Sequence, residues 1–353
     1  MRAHRSIVAL LAVLLAGCGG PPEVPWLEEL ASNALDAPGP QWPPPPDAAR
    51  VEYLGSIGGR RGFERSSRLW SRIRALLVGR ESEALVRPAG LCIRGDRLAI
   101  ADPGASAVHL LDLAARSWKV LRKGPAGQSL VLPVEVACLP DGGVVVADSA
   151  GDALWRYSAD GTALGTFTQE SLRRPTGLAL DPDRGRLWVV ETLAHRVTVF
   201  GLDGRTQLRV GGRGSGLGRF NYPTLVASDG RGGVWLTDAL NFRLHHITAH
   251  GLADRQFGEA GDRIGSLARP RGVAVDAAGR IFLVDALFDA VQIFDPAGQL
   301  LLAFGGRGQA PGRFWLPADV ELDGRGHLFV ADSYNRRIQV FAYRPPAPGR
   351  DDR

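Results

Sequence analysis

The sequence predicts an all-β fold consisting of one six-bladed β-propeller, and three repeating marks support this prediction. The first is a proline that begins an apolar segment six times, at spacings of 45, 42, 48, 47 and 47 residues. A carboxylate residue follows each proline by 14 to 16 positions, and an aliphatic residue lies six positions further on. The prolines are Pro88, Pro133, Pro175, Pro223, Pro270 and Pro317, and the carboxylates are Asp102, Asp148, Glu191, Asp238, Asp285 and Asp332. A period of about 45 residues is typical of a propeller blade.

Each repeat divides into short apolar runs separated by turn residues. The segment ADVELDGRGHLFVADSYNRRIQVF (318–341) contains three such runs, and QLLLAFGG (299–306) supplies a fourth run in the preceding repeat. Four short strands form one blade, and six blades close a ring without long exposed edges. The run VEYLGSI (51–57) precedes the first repeat, and we expect it to provide the outermost strand of the last blade.

The N-terminus predicts export and lipid anchoring. Residues 1–17 combine two arginines with a short apolar run, which is typical of a secretory signal peptide. LAGC (15–18) resembles the lipobox of bacterial lipoproteins, and this implies that Cys18 carries a lipid and attaches the protein to a membrane. Gly19 is not the aspartate that retains such proteins at the inner membrane, so we expect the outer membrane.

Three segments differ in character from the repeats of the propeller body, 51–343. Residues 18–50 are rich in proline and are predicted to form a lipid-anchored linker, and residues 344–353 a disordered tail. SSRLWSRIRALLVG (66–79) places apolar residues at helical spacing between a serine N-cap and a glycine. This amphipathic helix, inserted before the first blade, is expected to cap the ring. A contact of its basic side with an anionic membrane or a partner is the alternative.

Two pairs of segments resemble the NHL repeat family. GGRGSGLGRFNYP (211–223) and GGRGQAPGRFWLP (305–317) resemble its glycine-rich interblade loop, and TDALNFRLHHI (237–247) and ADSYNRRIQVF (331–341) resemble its Asp-x-x-Asn-x-Arg turn. The resemblance implies a six-bladed propeller with these loops and turns on one face. The turn arginine occurs in the third, fourth and sixth repeats, so a binding face is expected to be uneven.

The loops and turns supply the candidate ligand face. Its residues are Arg196, Arg213, Arg219, Arg243, Arg307, Arg313, Arg337, Asn241 and Asn335. A basic mouth suits an acidic peptide, a polysaccharide carboxylate or a phosphate head group. Alternatively, each arginine pairs with the carboxylate of its own blade. The repeat carboxylates likewise have two interpretations, because they accept turn amides or form a ring that holds a cation.

The cysteines and the net charge limit the class of protein. Three cysteines without a CxxC pair or a CxxCH motif do not indicate a disulfide framework or a c-type haem. Cys92 and Cys138 align within one residue in adjacent repeats, and they are interpreted either as small core residues or as a disulfide. A net charge of +5 over 353 residues gives no argument for nucleic acid, and none is expected as a partner.

These observations predict a cell-envelope lipoprotein that acts as a non-enzymatic binding or scaffold propeller for a protein, peptide or glycan. The alternative is a metal-dependent lyase or hydrolase with its site at the central axis, because the peptide-amidating lyases share this repeat and hold zinc through histidines. The histidines of the body show no HxH or HExxH spacing. No catalytic residue, cofactor or metal ligand is assigned from the sequence.

Overall fold

The computed structural model of the protein describes residues 39–45, 47–60, 63 and 84–345. The signal segment, Cys18, most of the 18–50 linker, the helix expected at 66–79 and the tail from residue 346 lie outside the described residues. Within the described ranges, no helix is long and apolar enough to cross a membrane.

The described chain forms six antiparallel sheets, one for each repeat. The first blade contains β3 (Leu91–Arg94), β4 (Arg97–Asp102), β5 (Ala107–Asp112) and β6 (Ser117–Leu121). The second contains β7 (Pro133–Cys138), β8 (Val144–Asp148), β9 (Ala153–Tyr157) and β10 (Ala163–Thr166). The third contains β11 (Pro175–Asp181), β12 (Arg186–Glu191), β13 (Arg196–Gly201) and β14 (Thr206–Gly211). The fourth and fifth contain β15 (Pro223–Ser228), β16 (Val234–Asp238), β17 (Arg243–Ile247) and β18 (Ala253–Phe257); and β19 (Pro270–Val275), β20 (Ile281–Asp285), β21 (Ala290–Phe294) and β22 (Leu300–Gly305). The sixth contains β1 (Gln41–Trp42), β2 (Val51–Ile57), β23 (Val320–Leu322), β24 (His327–Asp332) and β25 (Arg337–Tyr343). This arrangement confirms the all-β six-bladed propeller.

The first strands of neighbouring blades contact one another around the ring, so they surround the central axis. Four 3-10 turns connect strands, at Pro125–Gly127, Thr192–Ala194, Ala239–Asn241 and Ser333–Asn335. Three of them follow the second strand of their blade and are the turns singled out in the sequence.

Strand β2 closes the ring as expected. It runs antiparallel to β25, from Val51 opposite Tyr343 to Ile57 opposite Ile338. The last blade therefore takes its outer strand from the N-terminal side of the chain. The edges of β2 and β25, which would otherwise be open, pair with each other. The ring therefore has no break at the point where the repeats begin and end.

The sixth blade extends further than the sequence predicts. Gln41 pairs with Glu52, so β1 adds a fifth strand outside β2. The indole ring of Trp42 packs 5.5 Å from the ring of Phe304 and 6.1 Å from that of Phe341. Two residues of the predicted linker 18–50 therefore pair with the sixth blade, where the indole of Trp42 packs against aromatic rings.

Apolar side chains fill the space between adjacent blades. Trp188 and Val190 of β12, for example, pack with Val226 and Leu236 of the next blade. Both faces of the middle strands are covered, which is why a strand such as β16 is buried at every position. Each blade is thus stable only against its neighbours, as expected for a closed repeat protein.

The phenylalanines of the glycine-rich loops are inserted into this core. Phe220 and Phe314 have no solvent-exposed surface. Gly211 and Gly305 have positive φ angles of 116° and 109°, and a Cβ on either would lie 2.5 Å from the phenylalanine ring. In each loop, the glycine and the phenylalanine therefore form a packing motif that folds the loop back onto its blade.

Cys92 and Cys138 form a disulfide, which is one of the two interpretations left open by the sequence. Their Cα atoms are 5.7 Å apart, within the range that a disulfide spans. The bond joins β3 to β7 and thereby links the innermost strands of the first two blades.

Candidate functional site

One end of the propeller is formed by two kinds of loop. Pro223 at the start of β15 pairs with Asp238 at the end of β16, so the loop that enters a blade and the turn after its second strand meet at the same end. Asn241 of this turn donates a hydrogen bond to the Gly214 carbonyl of the entering loop at 2.9 Å. We call this end the loop face, and the other end the opposite face.

The six repeat carboxylates lie beneath the loop face and are buried. Each accepts hydrogen bonds from backbone N–H groups of the loop that enters its blade. Asp148, for example, accepts from Val131 and Leu132 at 2.9 and 2.7 Å. This geometry supports the turn-amide interpretation, because each carboxylate satisfies the donors of its own blade.

The three turn arginines pair with these carboxylates. The distances from Nε to the carboxylate oxygen are 2.7 Å for Arg196 and Glu191, 3.1 Å for Arg243 and Asp238, and 2.7 Å for Arg337 and Asp332. Asn241 and Asn335 donate to the same carboxylates and to carbonyl groups of the loops. These three arginines and two asparagines therefore hold the turn and the loop together. For the arginines, this is the alternative interpretation, in which each pairs with the carboxylate of its own blade.

The four loop arginines are in a different situation. Arg213, Arg219, Arg307 and Arg313 are exposed. Arg219 donates to the Gly211 carbonyl at 3.2 Å and Arg313 to the Gly305 carbonyl at 2.9 Å. Within the described residues, none of the four forms an ion pair with a carboxylate. They are therefore the part of the candidate face whose positive charge remains available to a ligand.

The turns also present an arc of exposed apolar side chains. The second residue after the repeat carboxylate is Leu193, Leu240, Leu287 and Tyr334 in the third to sixth blades, with exposed fractions of 41, 53, 59 and 46%. The first two blades have Gly104 and Ala150 at this position. We call the four side chains the apolar arc. Because these exposed apolar side chains recur at the equivalent site of four consecutive blades on one face, the arc is a candidate contact surface.

A polar cluster lies on the innermost strands around the axis. It consists of Glu135 in the second blade, Arg271 in the fifth, and Asp319 and Glu321 in the sixth. Gly90 of the first blade makes room for it, since a Cβ there would lie 2.4 Å from Oε1 of Glu135. Glu321 and Arg271 keep some solvent-accessible surface, as expected for side chains that line a channel.

Burial raises the pKa of all three carboxyl groups. The pKa of Asp319 is raised to about 7. Burial, together with the negative charge of Asp319, raises the pKa of Glu135 and of Glu321 well above the usual range. The positive charge of Arg271 acts in the opposite direction on Glu135 and Asp319 but does not offset the effect of burial.

The histidines do not converge on the axis. His109 and His245 lie inside their blades, 3.5 Å from Asp102 and 3.2 Å from Asp238. His246, on the third strand of the fourth blade, contacts Asp229. Among the residues that the structure describes, no group of three or more His, Cys, Asp or Glu side chains is placed to hold a metal ion.

The polar cluster at the axis and the apolar arc are absent from the candidates found in the sequence, although the repeats contain a signal for the polar cluster. Four positions after the repeat proline, five blades have alanine or cysteine and the sixth has Glu321. Two positions after the proline, three blades have glycine where the second and sixth have Glu135 and Asp319. Such departures from a small residue on an inner strand indicate groups that face the axis.

Comparison with known proteins agrees with this architecture. The NHL repeat family matches residues 172–200 and 314–341, which contain the first three strands of the third blade and the three chain-adjacent strands of the sixth. No curated protein matches the sequence.

Solved structures share the fold. A protein of unknown function from Bacteroides thetaiotaomicron VPI-5482 has a TM-score of 0.60 at 16% identity, covering 75% of this chain and 71% of that chain. An auxiliary nutrient binding protein from Bacteroides ovatus ATCC 8483 has a TM-score of 0.57 at 11% identity, covering 75% and 71%. Catalytically inactive virginiamycin B lyase from Staphylococcus aureus has a TM-score of 0.54 at 15% identity, covering 73% and 95%. From its repeats, its six closed blades and these likenesses, the chain is a six-bladed β-propeller protein with NHL repeats.

Proposed function

We propose that this protein is a lipid-anchored component of the cell envelope whose loop face binds a protein, peptide or glycan partner without catalysing a reaction. The observation that carries the proposal is the set of loop arginines, which are exposed and of which only Arg307 interacts electrostatically with a described carboxylate, that of Asp289. Unpaired guanidinium groups in a ring of loops attract carboxylate or phosphate groups. The similarity in fold to an auxiliary nutrient binding protein is consistent with a binding role.

The location of the protein is part of this proposal. The LAGC sequence supports lipidation at Cys18, and the residue after it supports the outer membrane over the inner membrane. The disulfide between Cys92 and Cys138 also supports export, because such bonds persist mainly in oxidising compartments. Membrane contact through the lipid and partner contact through the loop face are thus assigned to different parts of the chain.

A lyase or hydrolase acting at the axis is the second candidate. One observation favours it, since a buried Asp319 with a pKa near neutrality has a property of acid–base catalysts. The metal that this candidate requires has no set of ligands within the described ranges. The likeness to virginiamycin B lyase concerns the fold alone. Binding at the loop face is therefore the better supported function.

Site-specific photo-crosslinking in intact cells tests the binding role. A photoreactive amino acid replaces Arg219 or Arg313 on the loop face, and Arg205 or Arg231 on the opposite face as the matched control. We expect covalent adducts of higher mass only from the loop face. Equal adducts from both faces, or none from either, would contradict the proposed binding role.

Membrane attachment is tested separately with Cys18→Ser. We expect the intact protein to incorporate a labelled fatty acid and to sediment with the outer membrane, and the variant to do neither. A variant that still sediments with the membrane would show that Cys18 is not the anchor.

A further inference from the structure

The apolar arc is not explained by the loop arginines alone. Its side chains belong to short turns whose backbones are bonded to the rest of the blade. The Leu240 and Tyr334 N–H groups donate to carbonyl groups of the entering loops, and the Leu287 N–H donates to its repeat carboxylate. In three of these blades the turn is a 3-10 turn closed by a left-handed residue, namely His195, Phe242 and Arg336. The arc is therefore a preorganised surface, and binding to it requires little ordering of the protein.

The neighbouring loops carry further exposed apolar side chains. Leu217 and Tyr222 in the loop between the third and fourth blades, and Ile264 in the next loop, are exposed by 51, 37 and 47%. Beneath Tyr334, the indole of Trp315 packs at 5.6 Å between ring centroids. Leucine, tyrosine, tryptophan and arginine thus occur together over the third to sixth blades.

The charge next to the arc indicates which groups of a ligand would accompany its apolar contacts. Arg213 and Arg219 lie between the third and fourth blades, and Arg307 and Arg313 between the fifth and sixth. Neither loop contains an acidic residue, and the one described carboxylate that both accepts a hydrogen bond from the second loop and interacts with one of its arginines is that of Asp289, beside Arg307. A ligand that covers the arc therefore gains by placing carboxylates over both loops.

We infer that the loop face over the third to sixth blades binds a protein segment that combines apolar side chains with aspartate or glutamate. This inference rests on the proposed function and names its partner as a protein. Tyrosine, tryptophan and arginine beside a small apolar patch is the composition of protein interfaces. A glycan offers no aliphatic side chains to cover the leucines. A membrane surface is less well matched, since the arc side chains are only about half exposed.

A phage-displayed library of random peptides provides the probe. The library is selected against the complete propeller, and the enriched peptides are then measured for affinity with the wild type and with Leu240→Ser/Leu287→Ser. Leu252→Ser is the matched control, because Leu252 is 68% exposed but lies in a loop of the opposite face. Unchanged thermal unfolding shows that each variant is folded.

We expect the enriched peptides to contain both acidic and apolar residues. Their affinity should fall by about tenfold or more in the arc variant, stay unchanged in Leu252→Ser and weaken at high salt. Peptides that bind the arc variant as well as the wild type would overturn the inference. So would vesicles of phosphatidylcholine and phosphatidylglycerol that bind in an arc-dependent way while no peptide does. Photo-crosslinks from the loop face without arc-dependent peptides would leave the proposed function standing and remove only this inference.

Discussion

Asp319 of the sixth blade accepts a hydrogen bond at 2.9 Å from the backbone N–H of Leu91 in the first blade. This contact crosses the junction at which the ring closes. It also places a buried carboxyl group against two others and one arginine at the axis, which makes the junction sensitive to pH.

The stability of the propeller should decrease as pH rises toward neutrality because of this cluster. The pKa of Asp319 is raised from 3.8 to about 7, so the folded state binds the proton more tightly than the unfolded state. Its contribution is fully present below about pH 4 and is lost as pH rises through about 7. Asp319→Asn should therefore be more stable than the wild type at about pH 8, by more than about 1 kcal/mol, since one pKa unit corresponds to about 1.4 kcal/mol.

Urea unfolding at about pH 5 and about pH 8 measures this effect. Asp203→Asn removes an exposed carboxylate of the opposite face and is the control. Identical pH dependence in the wild type and in Asp319→Asn would contradict the prediction.

The contribution of a repeat carboxylate to the stability of the protein should depend on pH in the opposite direction. Burial alone would raise the pKa of Asp238, but hydrogen bonds from His245, the Asn221 N–H, Asn241 and Arg243 hold it below the usual value. Its contribution to stability is thus present above about pH 4 and is lost as pH falls through the lowered value. Asp238→Ala also leaves a buried arginine unpaired, and we expect a loss of about 3–5 kcal/mol at neutral pH.

Thermal or urea unfolding of Asp238→Ala tests this loss. Asp183→Ala, at an exposed site, should change the free energy of unfolding by less than about 0.5 kcal/mol. A similar small change in both variants would show that the repeat carboxylate does not hold its loop.

The disulfide should be present in the mature protein and should stabilise it. Cys92 and Cys138 are 46 residues apart, and closing such a loop stabilises a protein by about 2–4 kcal/mol. Without reduction, neither thiol should react with a maleimide in the unfolded protein, and reduction should lower the melting temperature. Two reactive thiols in unreduced protein exported to the envelope would contradict the bond, and Cys92→Ala/Cys138→Ala should unfold at the same temperature with or without reductant.

Closure by the N-terminal strands should be essential for a soluble protein. Deleting residues 39–58 removes β1 and β2, which exposes the backbone edge of β25 and the ring of Phe341. We expect aggregation, because an unpaired hydrophobic edge pairs with other chains. Deleting residues 19–38 is the matched control and should leave the unfolding temperature unchanged. A soluble, cooperatively folding protein without residues 39–58 would show that five complete blades and a partial sixth suffice.

The number of blades could be predicted from sequence because the proline and the carboxylate mark every repeat, including those that have lost the turn arginine. The carboxylate mark has a structural cause that the blades share, since Asp102 and Asp332 each accept from the amide two residues before the repeat proline. The strand at 51–57 could be predicted because the last repeat lacks a fourth apolar run. The pairing of Trp42 could not, because one tryptophan among prolines has no periodicity.

The site was harder to predict than the fold. Glu135 and Asp319 lie far apart in sequence, and only closure of the ring brings them into electrostatic contact. The turn arginines looked available because sequence contains no information on whether Arg243 reaches Asp238 or a ligand. Leu240 and Leu287 looked like ordinary turn residues, since exposure becomes visible only when the direction of the side chain is known.

Because the ring is closed by β2, near the N-terminal end of the described chain, synthesis and folding cannot proceed in the same order. Arg344 Nη2 contacts Glu52 Oε2 at 3.0 Å across 292 residues, so the edge of β2 that pairs with β25 stays open until β25 has been made. Contacts of such long sequence separation form slowly. Until then, the open edge of this strand can pair with other chains, and a chaperone has its greatest benefit during this interval.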